Sequence, residues 1–323
     1  MLRFGESNAP YWLAEPPEWR PVAGALSTIG EVWTPTRRVG TAYASPGPGS
    51  VLVVADRASP SPWREVVGGR DAFLTVIDAV DKPRGQTVVI GLTSEPEVKS
   101  SIRLITVDAA GRAGAPHLLV PSLGMVGSVR TARVADGTVA IAWVTARAKG
   151  SALSLARVST DTGELVGTPF EVDADEALHP YVAEMALAAD GPGVALAWAV
   201  HGAKKPTHDR EVLLELRIFT QGAPGEAPRR ASSRDVSTEE DQSSYTPGAL
   251  LPIMLEAASL DLHALFAWRP SHESTSLDVL VLGAASPLAV PVPPESYLTL
   301  RSLGLVAYAP IKNGLHIMKT SCR

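Results

Sequence analysis

Residues Ala186–Val200 read ALAADGPGVALAWAV, which is an apolar strand, a tight Gly-Pro-Gly turn and a nearly continuous run of Val, Ala, Leu and Trp. The same pattern recurs as TARVADGTVAIAWV at Thr131–Val144 and as AYASPGPGSVLVVAD at Ala42–Asp56. A nearly continuous apolar strand is typical of a strand that is buried on both faces. Recurrence of such a hairpin therefore indicates a repeat architecture in which small sheets stack on one another.

The second strand of this hairpin marks six repeat units along the chain, at Val51–Ala55, Thr87–Leu92, Thr138–Val144, Val194–Val200, Leu262–Trp268 and Leu305–Ala309. In four units a polar loop and a third strand follow, at Ile102–Val107, Ser151–Val158, Val212–Phe219 and Leu277–Leu282. Two of these third strands continue through another tight turn into a fourth strand. Each unit is therefore predicted to be a four-stranded antiparallel meander.

These meanders resemble β-propeller repeats in general, because repeated four-stranded sheets can bury both faces of each sheet and leave only short edges. The resemblance covers most of the chain but matches no subfamily signature. The Gly-His and Trp-Asp pairs of WD40 repeats are absent, and Ser159–Val166 keeps the turn residues of a sialidase-type Asp box without its Thr and Trp. The resemblance implies a single all-β propeller domain over residues 1–323, with about six four-stranded blades and with five or seven as alternatives.

Closure of such a fold requires the first and last sheets to join. The last unit ends one strand short, and the segment STIGEVWT at Ser27–Thr34 is predicted to supply the missing strand after a Pro- and Trp-rich leader at residues 1–26. The alternative is that the segment is a surface extension. The sequence pattern predicts only one extra strand between Ala58 and Lys82, so one repeat unit could be incomplete.

Composition excludes several classes of function. A net charge of −5 and a pI of 5.8 argue against nucleic acid as the main partner. The single cysteine, Cys322, cannot form an internal disulfide. No apolar run is long enough for a signal peptide or for a membrane span of about 20 residues, so we expect no membrane partner and a cytoplasmic location. The Ala-, Gly- and Pro-rich style suggests a bacterial protein.

Long polar connections are predicted to crowd one face of the molecule, where binding residues would concentrate. The longest of them, Arg229–Thr246, is expected to be a mobile loop. No zinc, nucleophile-elbow or phosphate-binding motif is present, so the sequence predicts neither a metal nor a cofactor. The candidate binding residues on these connections are Lys204, Lys205, His208, Arg210, Glu239, Glu240, Asp241 and His272.

Two functions remain open at this point. The leading hypothesis is a non-enzymatic propeller that serves as a scaffold or regulatory subunit and binds a protein partner through the loop-rich face. The alternative is a carbohydrate-binding or glycoside-hydrolysing propeller, since propeller glycosidases present carboxylates in a central channel. Glu184, Glu256 and Asp71 are the candidate catalytic residues, because each is predicted on or at the start of a first strand. The repeated Trp143, Trp198 and Trp268 are predicted to pack between blades.

Overall fold

The structure is a computed structural model, and its described residues fall into ranges separated by short gaps. These ranges are 2–6, 28–43, 49–57, 63–71, 73–95, 99–121, 126–176, 184–201, 211–241, 249–250, 255–260, 262–269, 275–291, 297–301, 304–311 and 314–322. Within them the chain forms five four-stranded sheets and one five-stranded sheet. The prediction of an all-β propeller fold built from repeated antiparallel four-stranded sheets is confirmed. No helix among the described residues has the length and apolarity needed to cross a membrane.

The strands follow one another in the meander order that the sequence predicts. Strand β1 (Leu2–Glu6) pairs with the last strand of the chain. One sheet contains β2 (Thr28–Trp33), β3 (Arg37–Tyr43), β4 (Ser50–Asp56) and β5 (Arg64–Asp71). The next contains β6 (Leu74–Lys82), the 3-10 turn Pro83–Gly85, β7 (Gln86–Glu95), β8 (Lys99–Val107) and β9 (His117–Val120).

The remaining four sheets continue this order. The first of them contains β10 (Val126–Arg133), β11 (Thr138–Ala146), β12 (Ser151–Ser159) and β13 (Phe170–Asp175). The five-stranded sheet contains β14 (Met185–Asp190), β15 (Gly193–His201), β16 (Glu211–Gln221), β17 (Arg229–Asp241) and β18 (Ala249–Leu250). The next sheet contains β19 (Glu256–Leu260), β20 (His263–Trp268), β21 (Ser276–Val281) and β22 (Leu288–Pro291), and the last contains β23 (Tyr297–Arg301), β24 (Gly304–Ile311) and β25 (Gly314–Cys322) with β1.

An N-terminal strand does complete the last sheet, but it is β1 and not the predicted segment 27–34. Leu2 pairs with Cys322 and Glu6 pairs with Met318. The segment 27–34 instead contributes β2, the first strand of the sheet that ends with β5. That sheet and the sheet of β6 to β9 each have four strands, so the suggestion that one unit is incomplete between Ala58 and Lys82 is corrected. The rest of the predicted leader, residues 7–26, lies outside the described residues.

The predicted mobile loop at 229–246 is corrected over residues 229–241, and residues 242–246 lie outside the described residues. Residues Arg229–Asp241 form β17, which pairs with β16 from Arg229 opposite Thr220 to Glu239 opposite Glu211. The segment lacks the apolar alternation of a strand, but its backbone completes the ladder of the long apolar strand β16, and main-chain pairing outweighs its polar composition.

Two compact units divide the chain. The larger unit comprises Met1–Trp12, Arg130–Arg157 and Gly167–Arg323, and the smaller unit comprises Leu13–Val129 and Val158–Val166. Each unit has its own apolar core.

In the larger unit, successive sheets pack large side chains against small ones. On β15, Leu196 and Trp198 belong to a cluster with Ala140 and Ala142 of β11. The opposite face of β15 carries Ala195, Ala197 and Ala199, which belong to a second cluster with Phe266 and Trp268 of β20. Alternate side chains of β15 thus pack against two neighbouring sheets, one on each face of the strand. Trp143, Trp198 and Trp268 are at most 3% exposed, so their predicted role in the core is confirmed.

Arg157, a buried residue of β12, connects the turns of two sheets in the larger unit. Its Nη1 lies 3.0 Å from Asp136 Oδ2 and donates to the carbonyl of Pro192 at 3.2 Å, while its Nε donates to Gln221 Oε1 at 2.9 Å. Its Nη2 is 3.4 Å from the carbonyl oxygen of Gly222. This guanidinium satisfies acceptors at the ends of both sheets and fixes their relative register.

In the smaller unit, the core joins the sheet that starts with β2 to the sheet that starts with β6. Leu52, Val54 and Val66 cluster with Val89 and Ile105. This packing places β6 against the preceding sheet.

Candidate active site

Glu184 of the larger unit lies immediately before β14, the first strand of its sheet. Its carbonyl oxygen accepts the N–H of Ala199 at 3.0 Å, which extends the pairing of β14 with β15 by one residue. Side chains alternate along a strand, so Glu184 shares a face with Ala186 and Ala188. Those two alanines pack against the sheet that starts with β19. The carboxyl of Glu184 is therefore directed toward β19.

Main-chain and charged groups of two other first strands reach this carboxyl. The backbone N–H of Leu255, just before β19, donates a hydrogen bond to it, and the guanidinium of Arg130 on β10 interacts with it electrostatically. In the larger unit, the residue before β14, the residue before β19 and strand β10 thus supply one carboxyl, one main-chain donor and one positive charge.

Burial raises the pKa of Glu184 above its usual value, because a partly buried carboxylate loses hydration. The positive charge of Arg130 and the Leu255 N–H act in the opposite direction, but they do not cancel the effect of burial. Glu184 therefore keeps its proton to a higher pH than a carboxyl in water, which suits a group that donates a proton during a reaction.

The other two predicted catalytic residues differ from Glu184 in their place in the sheets. Glu256 is the first residue of β19 and pairs with Ala267. Since Leu255 and Ala257 pack toward the sheet of β14, alternation puts Glu256 on the opposite face of β19. Asp71 was predicted at the start of a first strand, but it is the last residue of β5, the fourth strand of its sheet, opposite Ser50.

The structure describes only some of the predicted binding residues. Glu239, Glu240 and Asp241 lie on β17 and not on a loop, since Glu239 pairs with Glu211 and Glu240 pairs with Leu250. Lys204, Lys205, His208, Arg210 and His272 lie outside the described residues. Among the residues that the structure does describe, no three His, Cys, Asp or Glu side chains are grouped so as to hold a metal ion.

Sequence reasoning missed Arg130 and the amide of Leu255. Arg130 lies one residue before the hairpin TARVADGTVAIAWV, so its place on a first strand could have been found from the repeat. The Leu255 amide carries no side-chain signal, and only the packing of one sheet against the next brings it to Glu184.

No protein-family model matches the chain, and a search of curated proteins finds no relative. Solved structures do match. The GH93 alpha-L-arabinofuranosidase of Fusarium graminearum, solved with arabinobiose, is 11% identical, covers 88% of this chain and 89% of its own, and has a TM-score of 0.48. The Hadza microbial sialidase Hz136 is 14% identical, with coverage of 90% and 64% and a TM-score of 0.47. A glucose dehydrogenase is 11% identical, with coverage of 93% and 100% and a TM-score of 0.43.

At these identities the likeness concerns the fold and assigns no substrate to this chain. The matches named here are enzymes and not scaffolds, so the leading sequence hypothesis of a non-enzymatic scaffold is corrected and is not retained. Alpha-L-arabinofuranosidases recur among them, from Fusarium graminearum and Clostridium thermocellum, together with a GH43_1 enzyme from Xanthomonas citri and the sialidase. The scaffold hypothesis rested on the predicted loop-rich face and on the absence of familiar catalytic motifs, and the absence of a local motif does not exclude an enzyme, because residues from separate strands can form an active site.

Proposed function

We propose that this protein is a glycoside hydrolase of the β-propeller fold in which Glu184 donates a proton to the glycosidic oxygen. One observation carries the proposal: a partly buried carboxyl at the start of a first strand accepts a main-chain hydrogen bond from the next sheet and has a raised pKa. Glycoside hydrolysis requires a carboxylic acid that is still protonated near the working pH.

Each group around Glu184 has a role in this reaction. The Leu255 N–H donates a hydrogen bond to the Glu184 carboxyl and limits the rotation of that group. When Glu184 gives up its proton it becomes an anion in a partly desolvated place, and the positive charge of Arg130 stabilises that anion. The site therefore favours the protonated acid before the transfer and tolerates the carboxylate after it.

Hydrolysis also needs a second carboxyl, about 5–5.5 Å away in retaining enzymes and about 6.5–9.5 Å away in inverting ones. Glu256 faces the other side of β19, so we assign it no part in the proton transfer. The orientation of Glu256 favours a second candidate function, glycan binding without turnover, in which Glu184 and Arg130 serve as hydrogen-bonding groups for sugar hydroxyls.

Turnover of a broad panel of aryl glycosides and neutral oligosaccharides tests the proposal. We expect at least one substrate to be hydrolysed, and Glu184→Gln to reduce kcat about 100-fold or more, the usual contribution of a general acid. Glu164→Gln, an exposed glutamate in the turn between β12 and β13, is the matched control and should retain wild-type activity. Binding without turnover would support the second candidate, and neither binding nor turnover would overturn both.

A further inference from the structure

Arg37, the first residue of β3 in the smaller unit, is a buried cation that contacts the neighbouring sheet. The residue is 7% exposed. Its Nη2 donates to the carbonyl oxygen of Gly85 at 2.9 Å and to that of Asp108 at 3.1 Å. The guanidinium therefore lies between the 3-10 turn that precedes β7 and the turn that follows β8.

The other terminal nitrogen of this guanidinium, Nη1, has no acceptor. It is buried, and none of the residues that the structure describes accepts a hydrogen bond from it. Buried polar groups in proteins are nearly always hydrogen-bonded, and an exception points to a bound water or ion. A buried charge is also costly unless it is paired, so an anion would satisfy the donor and the charge together.

The acidic residues on the elements around Arg37 are bonded to other groups. Asp56, opposite Arg37 in the pairing of β3 with β4, has its Oδ2 3.9 Å from Arg64. The others are Asp81, which accepts hydrogen bonds from Thr36 and Thr87, and Asp108, whose Oδ1 accepts the N–H of Arg112 at 2.8 Å. None of these three carboxylates forms an ion pair with Arg37.

The larger unit contains a similar arrangement in which the protein supplies the anion. Arg157 also donates to carbonyl oxygens in two turns of a neighbouring sheet, those of Pro192 and Gly222. Its Nη1, however, pairs with the carboxylate of Asp136 at 3.0 Å. The comparison indicates that a guanidinium in this setting is completed by one negative charge at Nη1.

Two considerations define the chemistry of an anion at Arg37. A single guanidinium balances one negative charge, whereas a sulfate or phosphate would bring excess charge close to Asp56, Asp81 and Asp108. A small monovalent anion also loses less hydration energy than a polyanion when it enters a buried place. A charge-assisted hydrogen bond from Nη1 compensates for that loss.

We propose that Arg37 binds a monovalent anion of the size of chloride, which serves the same purpose as Asp136 beside Arg157. The anion would stabilise the contact between the sheets of the smaller unit. The inference does not depend on the proposed role of Glu184, which belongs to the larger unit.

Urea-induced unfolding of the full chain at constant ionic strength tests the proposal. Sodium chloride is replaced stepwise by sodium gluconate, whose anion is too large for a buried site. With a Kd of about 10 mM, 100 mM chloride should lower the unfolding equilibrium constant about tenfold. We expect this dependence in the wild type and in Arg112→Met, an exposed arginine of the turn between β8 and β9, whereas Arg37→Met should abolish it.

A crystal of the wild-type protein grown in sodium bromide gives a second test, which holds even if Arg37→Met does not fold. Bromide replaces chloride and is located by its anomalous scattering, and we expect a peak beside Nη1 of Arg37. Equal unfolding curves in chloride and gluconate would show that water alone satisfies Nη1 and would overturn the proposal. The same chloride dependence in Arg37→Met as in Arg112→Met, or bromide at exposed positions only, would also overturn it.

Discussion

Glu184 owes its chemical character to its surroundings and not to its neighbours in sequence. The residues beside it along the chain give no motif, yet burial raises its pKa while Arg130 and the Leu255 N–H limit the rise. The proposed proton transfer rests on this balance at a single carboxyl.

The balance predicts a pH dependence. A general acid works while it is protonated, so turnover should fall as the pH rises through the pKa of Glu184, at a higher pH than for an ordinary carboxyl. Arg130→Gln removes a charge that favours the carboxylate, which raises the pKa of Glu184 further and should move this decline to still higher pH. The pH profile of kcat/KM measures the shift. Arg229→Gln, an exposed arginine of β17, should not move it, and a decline that moved to lower pH in Arg130→Gln would contradict the assignment.

Arg157 on β12 forms hydrogen bonds with residues of two sheets. Replacing it with Met would leave the acceptors of Asp136, Gln221 and Pro192 without their buried donor. Leaving the buried acceptor of Gln221 without its donor costs about 1–3 kcal/mol, so we expect Arg157→Met to lower the free energy of urea-induced unfolding by about that amount. The exposed Arg229→Met is the control, and a similar small loss in both variants would show that Arg157 does not join the sheets.

At the scale of the elements, the repeated Ala-Trp strands hold the sheets of the larger unit together through size complementarity. Ala197 on β15 and Phe266 on β20 belong to one cluster and are fully buried. The small residue on one strand makes room for the large one on the next.

This complementarity can be tested with a double-mutant cycle. Ala197→Leu overfills the space and should destabilise the protein by about 1–3 kcal/mol, and Phe266→Ala leaves a cavity that costs about 3–5 kcal/mol. In the double variant the leucine can occupy part of the cavity, so the combined loss of unfolding free energy should be smaller than the sum. Strict additivity in chemical denaturation would show that the two positions do not share a packing site.

The apolar second strands of the repeat could be predicted well, while a first strand such as β10 could be predicted less well. The prediction for Val194–Val200 falls within β15 at Gly193–His201, and that for Thr138–Val144 falls within β11. Strand β10 is only partly buried along its length and gives a weak apolar pattern. Because the candidate site is built from first strands, Glu184 could be nominated from its position before a hairpin, but its partners could not.

At the scale of the whole molecule, the two ends of the chain meet in one sheet, where β1 pairs with β25. The sequence pointed to such a pairing, because the last unit lacked a strand, but it selected the wrong segment. Both β1 and β2 have strand-like composition, and the choice between them depends on which sheet is otherwise incomplete. Since β2 is needed by β3, only β1 remains for β25.

Proton donation by Glu184 in glycoside cleavage can be decided by comparing the Glu184→Gln variant on substrates with different leaving groups. A good leaving group such as 2,4-dinitrophenolate departs without protonation, whereas a sugar or alkyl alcohol requires it. We predict that Glu184→Gln lowers kcat/KM about 100-fold or more for alkyl glycosides and much less for the 2,4-dinitrophenyl glycoside of the same sugar. Equal losses for the two substrates, or full activity of the variant on both, would contradict the assignment of Glu184 as the acid.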